Sequence, residues 1–177
     1  RIQKLCMTID DDMRWLIALI SDTGMRLGEA AGLHLDDIRF NEPIPHIDLK
    51  PHPWRSLKTK GSERRIPLVG VALWAAERIV KNGSESKIAF PRYCNEFGCN
   101  ANSASNGLNK WLRNHVPQNC VIHSFRHSLR DRLRAVECPT EVVDAIGGWQ
   151  VATVGQRYGD GYPMDVLLAW LMKIKLH

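Results

Sequence analysis

A chain of 177 residues and 20.1 kDa fits one domain, and 44% hydrophobic with 24% charged residues is an ordinary globular composition. No apolar run approaches the roughly 20 residues a membrane helix needs and no signal-peptide pattern is present, which excludes a membrane protein and points to the cytoplasm. The net charge of +5 is unevenly distributed: residues 1–48 carry five basic and nine acidic side chains, whereas residues 50–65 and 107–135 each carry six basic against one acidic. Two such basic blocks on one surface would attract a polyanion, although a solvated basic face is the plain alternative. The chain opens at Arg1 without an initiator Met, as expected of a piece of something longer, and residues 1–8 are expected to be linker.

The first predicted helix starts near Thr8 or Asp10 as cap, with Asp11 and Asp12 at the positive end of its dipole and Met13, Leu16, Ile17 and Ile20 on one face. After Gly24 a second helix is expected from about Met25 to Leu33. From Ile38 to Leu68 the prolines at 43, 45, 51 and 53 break the chain into short pieces. Ile47–Leu49, Trp54–Leu57 and Arg64–Leu68 are predicted strands of a small antiparallel sheet, with Lys60-Gly61-Ser62 at a hairpin turn. Helical periodicity returns at Val71–Val80. A loop rich in Gly, Asn, Ser and Pro follows over residues 82–104. Further helices are predicted at Ala104–Asn114, Ser124–Val136, Thr140–Ile146, Val151–Arg157 and Met164–Ile174. The fold class is α+β, mainly helical with one small antiparallel sheet, in a single domain.

Five cysteines, Cys6, Cys94, Cys99, Cys120 and Cys138, are an odd and scattered set. They suit thiols in a reducing compartment, and they lack the paired C-x₂₋₄-C spacing of structural zinc, so no metal is expected.

The chemistry-bearing residues form an ordered series. His123 and Arg126 are three apart, so on a helix they share a face and can converge on one anion. That pair alone is weak, because the same spacing recurs at His52–Arg55 and His127–Arg130. It gains force from its companions: Thr23-Gly24-Met25-Arg26-Leu27-Gly28-Glu29, then Lys58-Thr59-Lys60 ahead of Arg64-Arg65-Ile66-Pro67, then His123-Ser124-Phe125-Arg126-His127, then Gly147-Gly148-Trp149, and last Tyr158.

This order and spacing resembles the tyrosine recombinase (phage integrase) family from about residue 8 to residue 175, and its tail is similar to prophage integrases. The resemblance implies the DNA breaking-rejoining catalytic fold and site-specific strand exchange through a covalent 3′-phosphotyrosine. It implies Arg26, Lys58, His123, Arg126, Trp149 and Tyr158 as catalytic residues, with Glu29, Lys60 and His127 supporting or alternative. Lys60 competes with Lys58 as general acid. Trp149 stands where many members carry His, so it can donate an N–H but not shuttle a proton. Tyr162 is a rival nucleophile, flanked by turn-forming Gly161 and Pro163.

Two arginine forks would clamp the phosphodiester oxygens, and a tyrosine with a free pKa near 10 would need the cationic site or His123 to become a nucleophile. Because the phosphotyrosine conserves the bond, no cofactor is expected. Arg55, Arg64, Lys110, Arg113 and Arg130 are candidate contacts to DNA phosphates. The expected partners are double-stranded DNA and further copies in a tetrameric assembly, with the isolated domain monomeric. Residues 163–177 form an apolar helix that could be exchanged between protomers. An N-terminal core-binding domain, usual in the family, is absent from this sequence. The rival readings are a type IB topoisomerase and a non-catalytic DNA-binding module.

Overall fold

The computed structural model describes residues 1–59, 62–83, 85, 87–149 and 161–175. Helix α1 (Ile2–Ile9) is followed by α2 (Asp12–Thr23), α3 (Leu27–Ala31) and a 3₁₀ turn (Leu35–Asp37). Strands β1 (Ile38–Arg39), β2 (His46–Leu49) and β3 (Arg64–Pro67) precede α4 (Gly70–Lys81). Then come a hairpin of β4 (Cys94–Asn95) and β5 (Gly98–Cys99), and helices α5 (Ala101–Leu112), α6 (Ser124–Ala135), α7 (Thr140–Gly147) and α8 (Met164–Ile174).

Helix α2 is the hub. Leu16, Ile17, Ala18, Leu19 and Ile20 are all buried, so this helix is apolar around its circumference and is packed by α1, α4 and α6. Its cap is Asp11, whose carboxylate accepts from the Arg14 amide at 3.0 Å. Asp10 instead ends α1 in the left-handed conformation. The first residues are therefore not linker: Ile2, Gln3 and Cys6 are buried against α2. A second apolar cluster joins α6, α7 and α8 through Leu129, Leu133, Val143, Ile146, Leu167, Leu171 and Ile174. Helix α8 thus packs on its own chain.

The sheet is antiparallel in the order β1-β2-β3, with Ile47 opposite Ile66 and Leu49 opposite Arg64. Trp54–Leu57 is not a strand. His52 and Arg55 exchange two backbone hydrogen bonds of 3.0 Å in a tight turn, Pro51 and Pro53 have no N–H to give a ladder, and the Arg55 side chain turns inward. The hairpin β4–β5 lies within the stretch predicted as loop, and two-residue strands leave no alternation to detect. Its turn is made by Asn95, whose side-chain oxygen accepts from the amides of Phe97 and Gly98. Cys94 and Cys99, expected as thiols, are joined across it as a disulfide, while Cys6, Cys120 and Cys138 are free. Among the described residues no helix is long and apolar enough to cross a membrane.

Candidate active site

The Thr23–Glu29 segment shows why its residues are spaced as they are. Gly24 closes α2 at φ 64°, and a β-carbon there would sit 2.4 Å from Leu129 Cδ2, so the tight reversal requires glycine. The reversal delivers Arg26 to the start of α3. Glu29 accepts from the Arg26 amide at 2.9 Å and from Arg26 Nη1 at 2.5 Å, and the same Nη1 reaches Ser62 Oγ at 3.2 Å.

Glu29 is 4% exposed and also takes Arg64 Nη2 at 3.1 Å. Burial alone would raise its carboxyl, but the Arg64 charge and the donated hydrogen bonds of Arg26 and Arg64 outweigh that and hold it below the usual range. A carboxylate with a depressed folded pKa contributes stability above its unfolded value and loses it as pH falls. Glu29→Gln should therefore cost about 3–5 kcal/mol at neutral pH, by stranding two guanidinium groups. It should also flatten the acid limb of stability below about pH 4.5. Denaturant melts of both proteins between pH 3 and 7 measure this, and parallel curves would refute it.

Arg64 and Arg55 are engaged within the fold. The Arg64 side chain is 6% exposed and donates to the carbonyls of Ile146 at 3.0 Å and Ser62 at 2.7 Å, tying β3 to the end of α7. Arg55 is 4% exposed, donates to the Glu29 carbonyl at 2.8 Å and to the Lys50 carbonyl, and lies 3.7 Å from buried Asp37. Desolvation lowers the pKa of both. Both side chains, candidates for phosphate contact by charge, serve to join elements of the fold. Lys110 and Arg113 are exposed at the end of α5. Arg130 is paired with Asp144 at 3.6 Å.

Arg126 projects from α6 into the same neighbourhood and is 3% exposed. Its Nη1 donates to the Gly24 carbonyl, so the glycine turn that presents Arg26 also holds Arg126. Nη2 has no hydrogen-bond partner among the described residues. Burial first, then the positive charges of Arg26 and Arg64, push its pKa down to about 10, still cationic at neutral pH. The Trp149 ring lies under this guanidinium, 4.3 Å from Cζ to ring centroid.

His123 immediately precedes α6 and is exposed, its ring edge-on to His127 at 5.1 Å. Partial burial, then the nearby charges of His127, Arg126, Arg26 and Lys58, lower its pKa. The shift favours the neutral imidazole, the form able to accept a proton. An anion among these cations opposes the repulsion, so the His123 midpoint should lie below 6.5 in the free protein and rise on adding duplex DNA. Imidazole NMR titrations read both, and a midpoint unmoved by DNA would count against His123 facing the phosphate.

Arg26, Glu29, Lys58, His123, Arg126, His127 and Trp149 are therefore gathered around one cationic locus. Sequence reasoning missed Ser62, fully buried and bonded to both Thr59 at 2.9 Å and Arg26. It also missed the Gly24 carbonyl, and no side-chain pattern could have flagged that acceptor. Lys60 and Tyr158, like the helix predicted at Val151–Arg157, lie outside the described residues.

Residues 1–163 match the family model described as the phage integrase family. The chain belongs to the phage integrase family. No curated protein sequence matches it significantly. Among solved structures, this integrase-family domain is similar to the Tn1549 transposon integrase in complex with circular intermediate DNA. The TM-score is 0.57 at 21% identity, covering 89% of this chain and 56% of that one. A Tyr-to-Phe form of that integrase, in complex with transposon right end DNA, matches with a TM-score of 0.56 at 19% identity, covering 91% and 58%. At such identity the likeness establishes the fold, mainly helical with small antiparallel sheets. The chain spans somewhat over half the length of these solved relatives.

Proposed function

We propose that this phage integrase catalytic domain cleaves and rejoins DNA in site-specific recombination through a 3′-phosphotyrosine at Tyr158. The observation that carries the reading is the state of Arg126. A buried guanidinium keeps one nitrogen without an acceptor among the described residues, and its charged neighbours are the cations Arg26, Arg64 and Arg130 with the single carboxylate Glu29. Leaving such a donor unpaired is costly, and an anionic phosphodiester oxygen supplies the missing acceptor. Arg26 and Arg126 would stabilise the charge that builds on the non-bridging oxygens as the phenolate oxygen attacks phosphorus. Neutral His123 would receive the tyrosine proton or donate to phosphate. Lys58, or Lys60, would protonate the leaving 5′-oxygen. The reverse attack by a 5′-hydroxyl of a partner strand would release Tyr158, so bond energy is kept and no cofactor enters.

Double-stranded DNA is the proposed substrate, with Lys110 and Arg113 on phosphates, and catalysis is proposed to proceed in an assembly of four copies. Exchange of residues 163–177 between protomers would release α8 from the packing it makes on its own chain. A duplex with the parent element's end sequence, nicked just beyond the scissile phosphate, tests the reading. The short leaving strand diffuses away and religation stops. An SDS-stable protein–DNA adduct is expected from the full-length protein, and free DNA alone would refute it.

A further inference from the structure

Trp149 is built into the fold in an unusual way. Gly148, in the left-handed conformation at φ 61°, ends α7, and the Trp149 amide returns to the Asp144 carbonyl at 3.1 Å. The ring then folds flat over Gly147, where a β-carbon would lie 1.7 Å from Trp149 Cζ3. Any side chain at 147 would occupy the seat of the indole. From that seat the ring meets Arg126 with its Cζ 4.3 Å from the centroid and Arg130 at 5.1 Å, two cations one helical turn apart on α6. Arg130 is held in turn by Asp144, the residue whose carbonyl anchors the Trp149 amide.

We propose that Trp149 is a positioning residue: its aromatic face, rather than its N–H, fixes the plane of the Arg126 guanidinium. The inference rests on the reading of Arg126 as a ligand of the phosphodiester. The Gly24 carbonyl pins one nitrogen of the fork, which leaves rotation about that bond open. A π-face lying against Cζ removes the rotation, and the attraction between cation and ring quadrupole holds it. A fork fixed in plane presents Nη2 in one direction without reorganising during the reaction. The two chemical properties of tryptophan, an N–H and a broad face, thus make opposite predictions when they are separated.

Three variants of the full-length protein separate them. Trp149→Phe keeps a face and has no N–H. Trp149→Leu has neither. Gly147→Ala keeps the indole but displaces it. Adduct formation on the nicked duplex should stay within about 3-fold of wild type for phenylalanine and fall about 30-fold for leucine and for Gly147→Ala, the scale of a desolvated cation–π contact. Phenylalanine as damaging as leucine would overturn the proposal and assign the effect to the N–H. The second readout does not involve cleavage. In arginine side-chain NMR spectra, the Arg126 Nε–H should show an upfield ring-current shift in wild type and Trp149→Phe, and lose it in Trp149→Leu. An Arg126 signal that does not move in the leucine variant would equally overturn the inference. Retained stacking shifts with no adduct from wild type would instead count against the reading of the site, leaving the contact itself established.

Discussion

Lysine in place of Arg126 will lower strand cleavage by about 10²-fold or more while leaving the fold in place. The charge is kept, so long-range attraction of DNA is nearly unchanged. What is lost is geometry. Arg126 spans from the Gly24 carbonyl on one side to an Nη2 without a partner among the described residues on the other, with its plane against Trp149. An ammonium carries its three donors on one nitrogen, so it cannot span the two positions that Nη1 and Nη2 occupy. Arg26→Lys should behave alike, because Nη1 alone makes the 2.5 Å bond to Glu29 and the Ser62 contact, and a lysine that keeps them has no second nitrogen to offer a phosphate. The two should also fail as a unit, the double variant being hardly worse than the poorer single one, since each clamp needs the other to orient one phosphate. Single-turnover cleavage of the nicked duplex measures these rates, with far-UV circular dichroism confirming folded protein. Near-normal cleavage by Arg126→Lys would make this arginine structural and move the site elsewhere.

The second large effect belongs to the tyrosine. Tyr158→Phe removes one oxygen and should abolish the covalent adduct, while duplex binding measured by fluorescence anisotropy stays within about 3-fold, because binding rests on charge contacts with phosphates. Tyr162→Phe should keep the adduct. Tyr162 is 39% exposed and lines a cleft with Trp149 and Arg64, a position compatible with packing. Loss of the adduct in Tyr162→Phe and its persistence in Tyr158→Phe would exchange the two assignments.

Much of the helical frame was legible in the sequence. The apolar stripes of α4, α6 and α7 follow the 3.6-residue period, and α8 runs from Met164 to Ile174 as that period predicts. The N-terminal helix is not legible because Thr8 and Asp10 both read as caps of the helix that follows, which leaves residues 1–8 as linker, whereas Asp10 ends α1 and Asp11 caps α2. The candidate residues can be listed from the sequence, since a motif preserves spacing, but their burial cannot. Arg55 and Arg64 counted as basic residues in a basic block, and charge counting cannot say which face of the backbone a side chain takes. For Arg64 the strand period held the answer: it shares a face with buried Ile66, while exposed Arg65 takes the other. For Arg55 no local pattern exists, because its partners at residues 29 and 37 are brought near by the fold. The same holds for Ser62 and for the seat of Trp149 on Gly147.

Peptide mapping of the trapped adduct tests most directly whether a tyrosine oxygen becomes bonded to DNA phosphorus. Full-length protein is reacted with the nicked duplex, digested with protease and nuclease, and the nucleotide-bearing peptide is sequenced by mass spectrometry. One modified peptide is expected, with a 3′-phosphonucleotide on Tyr158. A nucleotide on Tyr162 or any other residue, or an adduct absent under conditions where the duplex is bound, would contradict it.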